Sequence, residues 1–169
     1  EMELLRFLLN EYDHVSYERV VSGPGLHNIY RFLRDTQRGE EPSWLADELE
    51  QGDPAAVISQ AALANRSPLC GQTLDLFIQL FGAEAGNMAM NYMARGGVWL
   101  GGGIPVKILT RLKTTDLFLN AFLDKGRFLH IHRKVFLPNS GMFEEARFFA
   151  QGRNIRSFAT RWGRAGIRV

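Results

Sequence analysis

The segment Gly96 to Gly103 carries five glycines, two before and three after the apolar triplet Val98-Trp99-Leu100. Glycine loses more backbone freedom on folding than any other residue, so no helix or long strand runs through such a segment. The triplet has room for a short strand, and apolar residues return to helical spacing from Ile104 to Leu112. A strand that ends in bare backbone and turns into a helix is a ligand-binding geometry. The helix start offers unpaired amide donors and a positive dipole end, and no side chain blocks a flat ring or a phosphate. No Gly-Lys-Ser/Thr follows, so the segment is not a P-loop. Val106 stands where the Rossmann fingerprint requires its third glycine. Two readings stay level on this stretch: a nucleotide-binding turn, and a tight turn that lets a helix pack closely on a strand.

Upstream, proline and small polar residues divide the chain into helices. Leu4, Leu5, Leu8 and Leu9 repeat at helical spacing and predict an opening amphipathic helix. Ser16 is placed to cap a short helix over Tyr17 to Val21. Ser22-Gly-Pro24 then starts a helix with the apolar face Leu26, Ile29, Tyr30 and Leu33. Residues 35 to 43 are polar and predict a surface loop. Asp53-Pro54 opens a helix to about Ala64, and Ser67-Pro68 opens the longest helix, to about Ala94. Gly82, Ala85, Gly86, Ala89 and Ala94 recur on that helix among larger residues, a spacing that lets a second backbone come close. Beyond the glycine segment, Thr115 or Asp116 caps a helix to Leu123, closed at Gly126, and residues 131 to 137 predict a last strand. Several helices around few strands indicate an α/β fold.

Composition narrows the class. The 169 residues suffice for one domain or a large part of one, and a formal net charge of +2 argues against a nucleic-acid partner. The single cysteine, Cys70, excludes an internal disulfide framework and a cysteine-rich zinc site, and it suits the reducing cytoplasm. Near a helix start its thiol is open to a lowered pKa, although an inert helical cysteine is the commoner case. His14, His27, His130 and His132 form no coherent zinc set, so no metal site is expected. No apolar run approaches the ~20 residues that span a bilayer, which argues against a membrane partner. The first residues lack the basic stretch of a signal peptide and start within an amphipathic pattern, so the chain reads as a piece of something longer.

One segment is more specific than any of these. His14 to Leu33, "HVSYERVVSGPGLHNIYRFL", resembles a segment of the bacterial glucokinases, sugar kinases of the actin-like ATPase superfamily. The order of later motifs also resembles that family: Gly86 to Asn91 in a long helix, Gly96 to Ile104, then Asp124 to Phe128. The likeness covers residues 1 to 137.

The resemblance implies an α/β fold, helix-rich with few strands, corresponding to part of the ribonuclease H-like large domain of an actin-like ATPase. It implies transfer of the γ-phosphoryl of ATP to the 6-hydroxyl of glucose, with Mg2+, in a cleft between two domains. Glucose and ATP are then the partners, together with a second copy in a homodimer. Glu18 matches a carboxylate that holds sugar hydroxyls, and carboxylate chemistry suits that task because it only accepts hydrogen bonds. Gly101, Gly102 and Gly103 match the turn that lies against the adenosine of the nucleotide. Ser22 to Gly25 match in sequence and take a shaping role near Glu18.

Several family motifs are absent from the 169 residues. There is no Asp-x-Gly-Gly-Thr phosphate loop, no Asn-Asp pair to supply a catalytic base, and no "GEGGH" segment. In the family these lie upstream, so no catalytic residue is assigned and the isolated chain is expected not to phosphorylate glucose. A non-catalytic sugar-sensing module of the same fold is the alternative. Residues 138 to 169 depart from the family. They form a divergent basic tail in which six arginines follow Glu145 without an acid. It reads as a disordered tail rather than a nucleic-acid arm, because its arginines lack the regular face of a docking helix.

Overall fold

The computed structural model describes residues 1–94 and 98–126. It divides into two compact units, Glu1–Phe81 and a second that begins at Gly82. The expected strand over 131–137, the basic tail, His130, His132 and the glycines at 96 and 97 lie outside the described residues.

The first unit holds α1 (Met2–Leu9), α2 (Gly23–Asp35), α3 (Ser43–Gln51), α4 (Pro54–Leu63) and the start of α5 (Pro68–Asn91). The starts of α2, α4 and α5 are made by the side chains that the sequence nominates, whereas Ser16, the expected cap of the helix at Tyr17, makes no side-chain cap. Ser22 Oγ accepts from the Gly25 amide at 3.0 Å. Asp53 accepts from the Ala55 amide at 3.3 Å, and Ser67 Oγ from the Cys70 amide at 3.3 Å. Each satisfies a donor that the first helical turn leaves orphaned. α2 is central, packing on α4 and α1, while α3 lies on α4. Its buried residues Leu26, Ile29, Tyr30 and Leu33 are the face read from the sequence. The Tyr30 hydroxyl inside this core donates to Glu41 at 2.7 Å, so its polar tip is not left unpaired.

Two features of this unit differ from expectation. α1 buries Leu4 and Leu8 but leaves Leu5 and Leu9 about half exposed, at 45% and 49%. Each exposed leucine lies one residue, about 100° around the axis, from its buried neighbour, so a narrow stripe alone reaches the core. α3 was not anticipated beyond the polar loop. Of its residues only Leu45 is buried, too little to write a helical period. It is secured instead by Arg66, which pairs with Glu48 at 2.9 Å and lies 4.0 Å from the centre of the Trp44 ring.

Three helices end in one way. Gln37, Asn65 and Met93 take left-handed φ values of 56°, 53° and 46°. After each, the next amide turns back five residues, from Arg38 to Leu33, Arg66 to Ala61 and Ala94 to Ala89. This is the Schellman closure, usually built on glycine.

In the second unit, α5 continues and α6 (Gly103–Lys107), α7 (Leu109–Thr114) and α8 (Leu117–Leu123) follow. The small residues of α5 do admit another backbone. A Cβ at Gly82 would lie 2.3 Å from the Phe118 carbonyl oxygen, and one at Gly86 2.4 Å from that of Phe122. Phe122 packs into a cluster with Ala85, Ala89 and Ala94, against which Val98, Leu100, Phe118 and Leu123 lie. The expected strand over Val98 to Leu100 is not formed among the described residues. A strand exists only by exchanging backbone hydrogen bonds with a second one, and no described segment offers that ladder. The helix expected from Ile104 to Leu112 is two short helices, broken where Ile108 leaves helical backbone at φ −100°, ψ 11°. All the regular structure among the described residues is therefore helical, and the α/β expectation finds no strand there.

Candidate functional site

Glu18 sits in one turn of 3₁₀ helix, Tyr17–Arg19, between α1 and α2. Four contacts hold this turn. Ser22 Oγ donates to the Glu18 carbonyl at 2.6 Å while it caps α2, so one hydroxyl ties the turn to the helix start. The Asn28 side-chain amide, buried among the apolar residues of α2, donates to the Arg19 carbonyl at 2.9 Å. Gly25 lets α2 approach the chain directly, since a Cβ there would lie 2.5 Å from the Val20 carbonyl carbon. The Arg19 guanidinium covers the Tyr12 ring at 4.2 Å from its centre. Val20 is buried and Arg19 is drawn onto a ring, while Glu18 is exposed. The result is a carboxylate presented to solvent on a backbone that cannot drift. A group of this kind accepts two neighbouring hydroxyls at once.

Ser22 to Gly25 thus have the shaping role expected of them. The motif alone gives Asn28 no function. Its signal was available: an asparagine inside the face formed by Leu26, Ile29, Tyr30 and Leu33 must find a partner or forfeit its hydrogen bonds.

Gly101, Gly102 and Gly103 lie in the second unit and are exposed. Gly102 precedes α6 with φ 102°, ψ −177°, a backbone closed to L side chains. Among the described residues, nothing lies within 4 Å of a Cβ added at any of the three. Close packing of a helix on a neighbour therefore does not account for their bareness there. Among the described residues the turn is open. Pro105, Ile108 and Leu112, all buried, anchor the chain beyond it.

Burial pushes the Cys70 thiol up from its ordinary value, the opposite of activation. Among the described residues no group of three His, Cys, Asp or Glu side chains is placed to hold a metal ion. No described helix is long and apolar enough to cross a membrane. His27 is half-buried, and burial together with Arg31 and Arg34 lowers its pKa.

This arrangement of helices is that of a known class of sugar kinase: it matches a crystal structure of glucokinase from an Antarctic psychrotroph. The TM-score is 0.64 and the identity 31%, over 79% of this chain and 38% of that chain. A sequence model of the glucokinase family matches residues 1–138, and the chain belongs to that family. The glucokinase of Nostoc punctiforme is 44% identical over 140 residues, covering 75% of this chain and 41% of that protein. That of Synechocystis sp. is 39% identical over 140 residues, covering 75% and 39%. That of Neisseria meningitidis serogroup B is 40% identical over 130 residues, covering 76% and 37%. The chain spans about two fifths of the length of these curated relatives.

Proposed function

We propose that this chain supplies part of the hexose and nucleotide sites of an enzyme that transfers the γ-phosphoryl of ATP to the 6-hydroxyl of glucose. The observation that carries the reading is the Glu18 turn. In a glucokinase-family chain, Ser22 and Asn28 donate to the Glu18 and Arg19 carbonyls and Gly25 lets α2 close on Val20, so three residues of one motif hold the backbone beside an exposed carboxylate. In this reading Glu18 accepts hydrogen bonds from two adjacent hydroxyls of the sugar and orients the ring. Gly101 to Gly103 give the nucleotide a face free of side chains. ATP supplies the phosphoryl group, and Mg2+ neutralises its charge. Among the described residues no group of three His, Cys, Asp or Glu side chains is placed to hold that ion.

The same reading assigns residues 1 to 137 to a ribonuclease H-like large domain and leaves 138 to 169 as a separate basic tail. It places the protein in the cytoplasm and pairs two copies in a homodimer. The base that takes the proton from the sugar hydroxyl is not among the seven aspartates of the chain, none of which follows an asparagine. Binding, rather than turnover, is therefore what this chain can show. Calorimetric titration of glucose into the wild-type chain and Glu18→Ala tests it. The expected result is an affinity at least about tenfold weaker in the variant, the size of a lost hydrogen bond to a charged acceptor. Equal affinities would remove Glu18 from the site.

A further inference from the structure

Gly101 to Gly103 are exposed and touch nothing through a side chain, so the turn inherits its position from the residues on either side of it. After the turn these are Pro105 and Ile108. Before it they are Val98 and Leu100, which pack against the cluster of Ala85, Ala89, Ala94 and Phe122. Phe122 belongs to α8, and the placing of α8 on α5 is where Lys125 acts. Its ammonium donates to the Ala83 carbonyl at 2.7 Å and to Asn87 Oδ1 at 3.0 Å. Asn87 is held in turn, its amide donating to Glu84 at 3.2 Å. The Lys125 stem crosses Gly86, where a Cβ would meet its Cε at 2.5 Å. A cation seated on a main-chain carbonyl and an amide oxygen makes charge-assisted hydrogen bonds, about twice as strong as neutral ones.

We propose that Lys125 is a positioning residue for the nucleotide-facing turn. It clasps the end of α8 to Ala83 and Asn87 of α5, seats Phe122 among Ala85, Ala89 and Ala94, and through that cluster fixes Val98, Leu100 and the glycines that follow. The proposal rests on the nucleotide reading of that turn. Every group in the clasp belongs to the second unit.

Hydrogen–deuterium exchange on the full chain separates the two. Lys125→Met keeps the apolar stem and deletes the donors. The Asn120 and Asp124 amides, which donate to the Asp116 and Asn120 carbonyls in α8, are expected to exchange about tenfold faster in this variant, the factor set by losing hydrogen bonds to a charged group. Amides of α2 and α4, in the first unit, should keep their wild-type rates, and Lys125→Arg should recover part of the protection. Asn87→Ala removes one acceptor without touching α8 and should give the same pattern more weakly. Unchanged exchange in α8 overturns the proposal, as does uniform quickening that includes α2 and α4. A second arm adds MgATP. Slowed exchange at the turn in wild type, weakened in Lys125→Met, is the expected result. If MgATP slows the turn in wild type and Lys125→Met equally, the clasp does not position it for the nucleotide. If MgATP slows it in neither, the nucleotide reading fails and takes the proposal with it, even where the first arm succeeds.

Discussion

Asn28 and Gly25 show how a single residue places a functional group that it never touches. Asn28 reaches from α2 to the Arg19 carbonyl, one peptide beyond Glu18. Asn28→Ala leaves that carbonyl without its partner, and denaturant unfolding should show a loss of about 1–3 kcal/mol. Asn28→Asp replaces the donor by an acceptor facing an acceptor and should be worse. Gly25→Ala forces a methyl into the Val20 backbone, where no flexible side chain can yield. Overpacking of this kind costs about 1–3 kcal/mol. Here it should also displace the Glu18 turn, so glucose affinity should fall more than in a surface variant of equal stability. The glycine was legible as part of a motif. Its reason was not, because the obstructing atoms are main-chain atoms five residues away, which no side-chain pattern encodes.

At the level of the element, the starts of α2, α4 and α5 were legible and the ends of α4 and α8 fall within a residue of expectation, but how α2, α4 and α5 close was not legible. A serine or aspartate beside a proline marks a helix N-terminus through local chemistry, and α2, α4 and α5 begin where those residues fall. Their C-termini close on Gln37, Asn65 and Met93, and only asparagine among these is at ease in left-handed backbone. Glycine at that position writes a stop into a sequence; glutamine and methionine do not. Met93→Gly should therefore stabilise the end of α5 by about 1 kcal/mol, read as a raised denaturation midpoint. α3 escaped notice for another reason. Its anchor is Arg66, whose partners Glu48 and Trp44 are a long way off in sequence. The Val98-Trp99-Leu100 strand failed in the converse way. β-branched and aromatic content names a segment that fits a sheet, but only a partner makes one.

Across the whole molecule, the helical order followed from punctuation and the family from one motif, whereas exposure depended on three-dimensional context. Leu5 and Leu9 read like Leu4 and Leu8 in sequence, yet they face outward with Met2. His27 adds a dependence on pH that no motif announces. Its folded pKa lies below the ordinary 6.5, chiefly through burial and then through Arg31 and Arg34. The unfolded chain then binds the proton more readily than the folded one. Stability is fully present above about pH 6.5 and declines as pH falls through the lower folded value. Denaturant melts from pH 7.5 to 5 should show that decline, and His27→Gln should flatten it.

Gly102 carries one more consequence, which concerns chirality. Its φ of 102° and ψ of −177° mirror −102° and +177°, a common setting for an L residue in a strand. That setting is native to a D residue. With open space around the position, D-alanine and L-alanine introduced there by chemical ligation differ only in handedness. The D form should leave the melting temperature close to that of the parent and the L form should lower it, so the two enantiomers together weigh the torsional cost of the turn by itself.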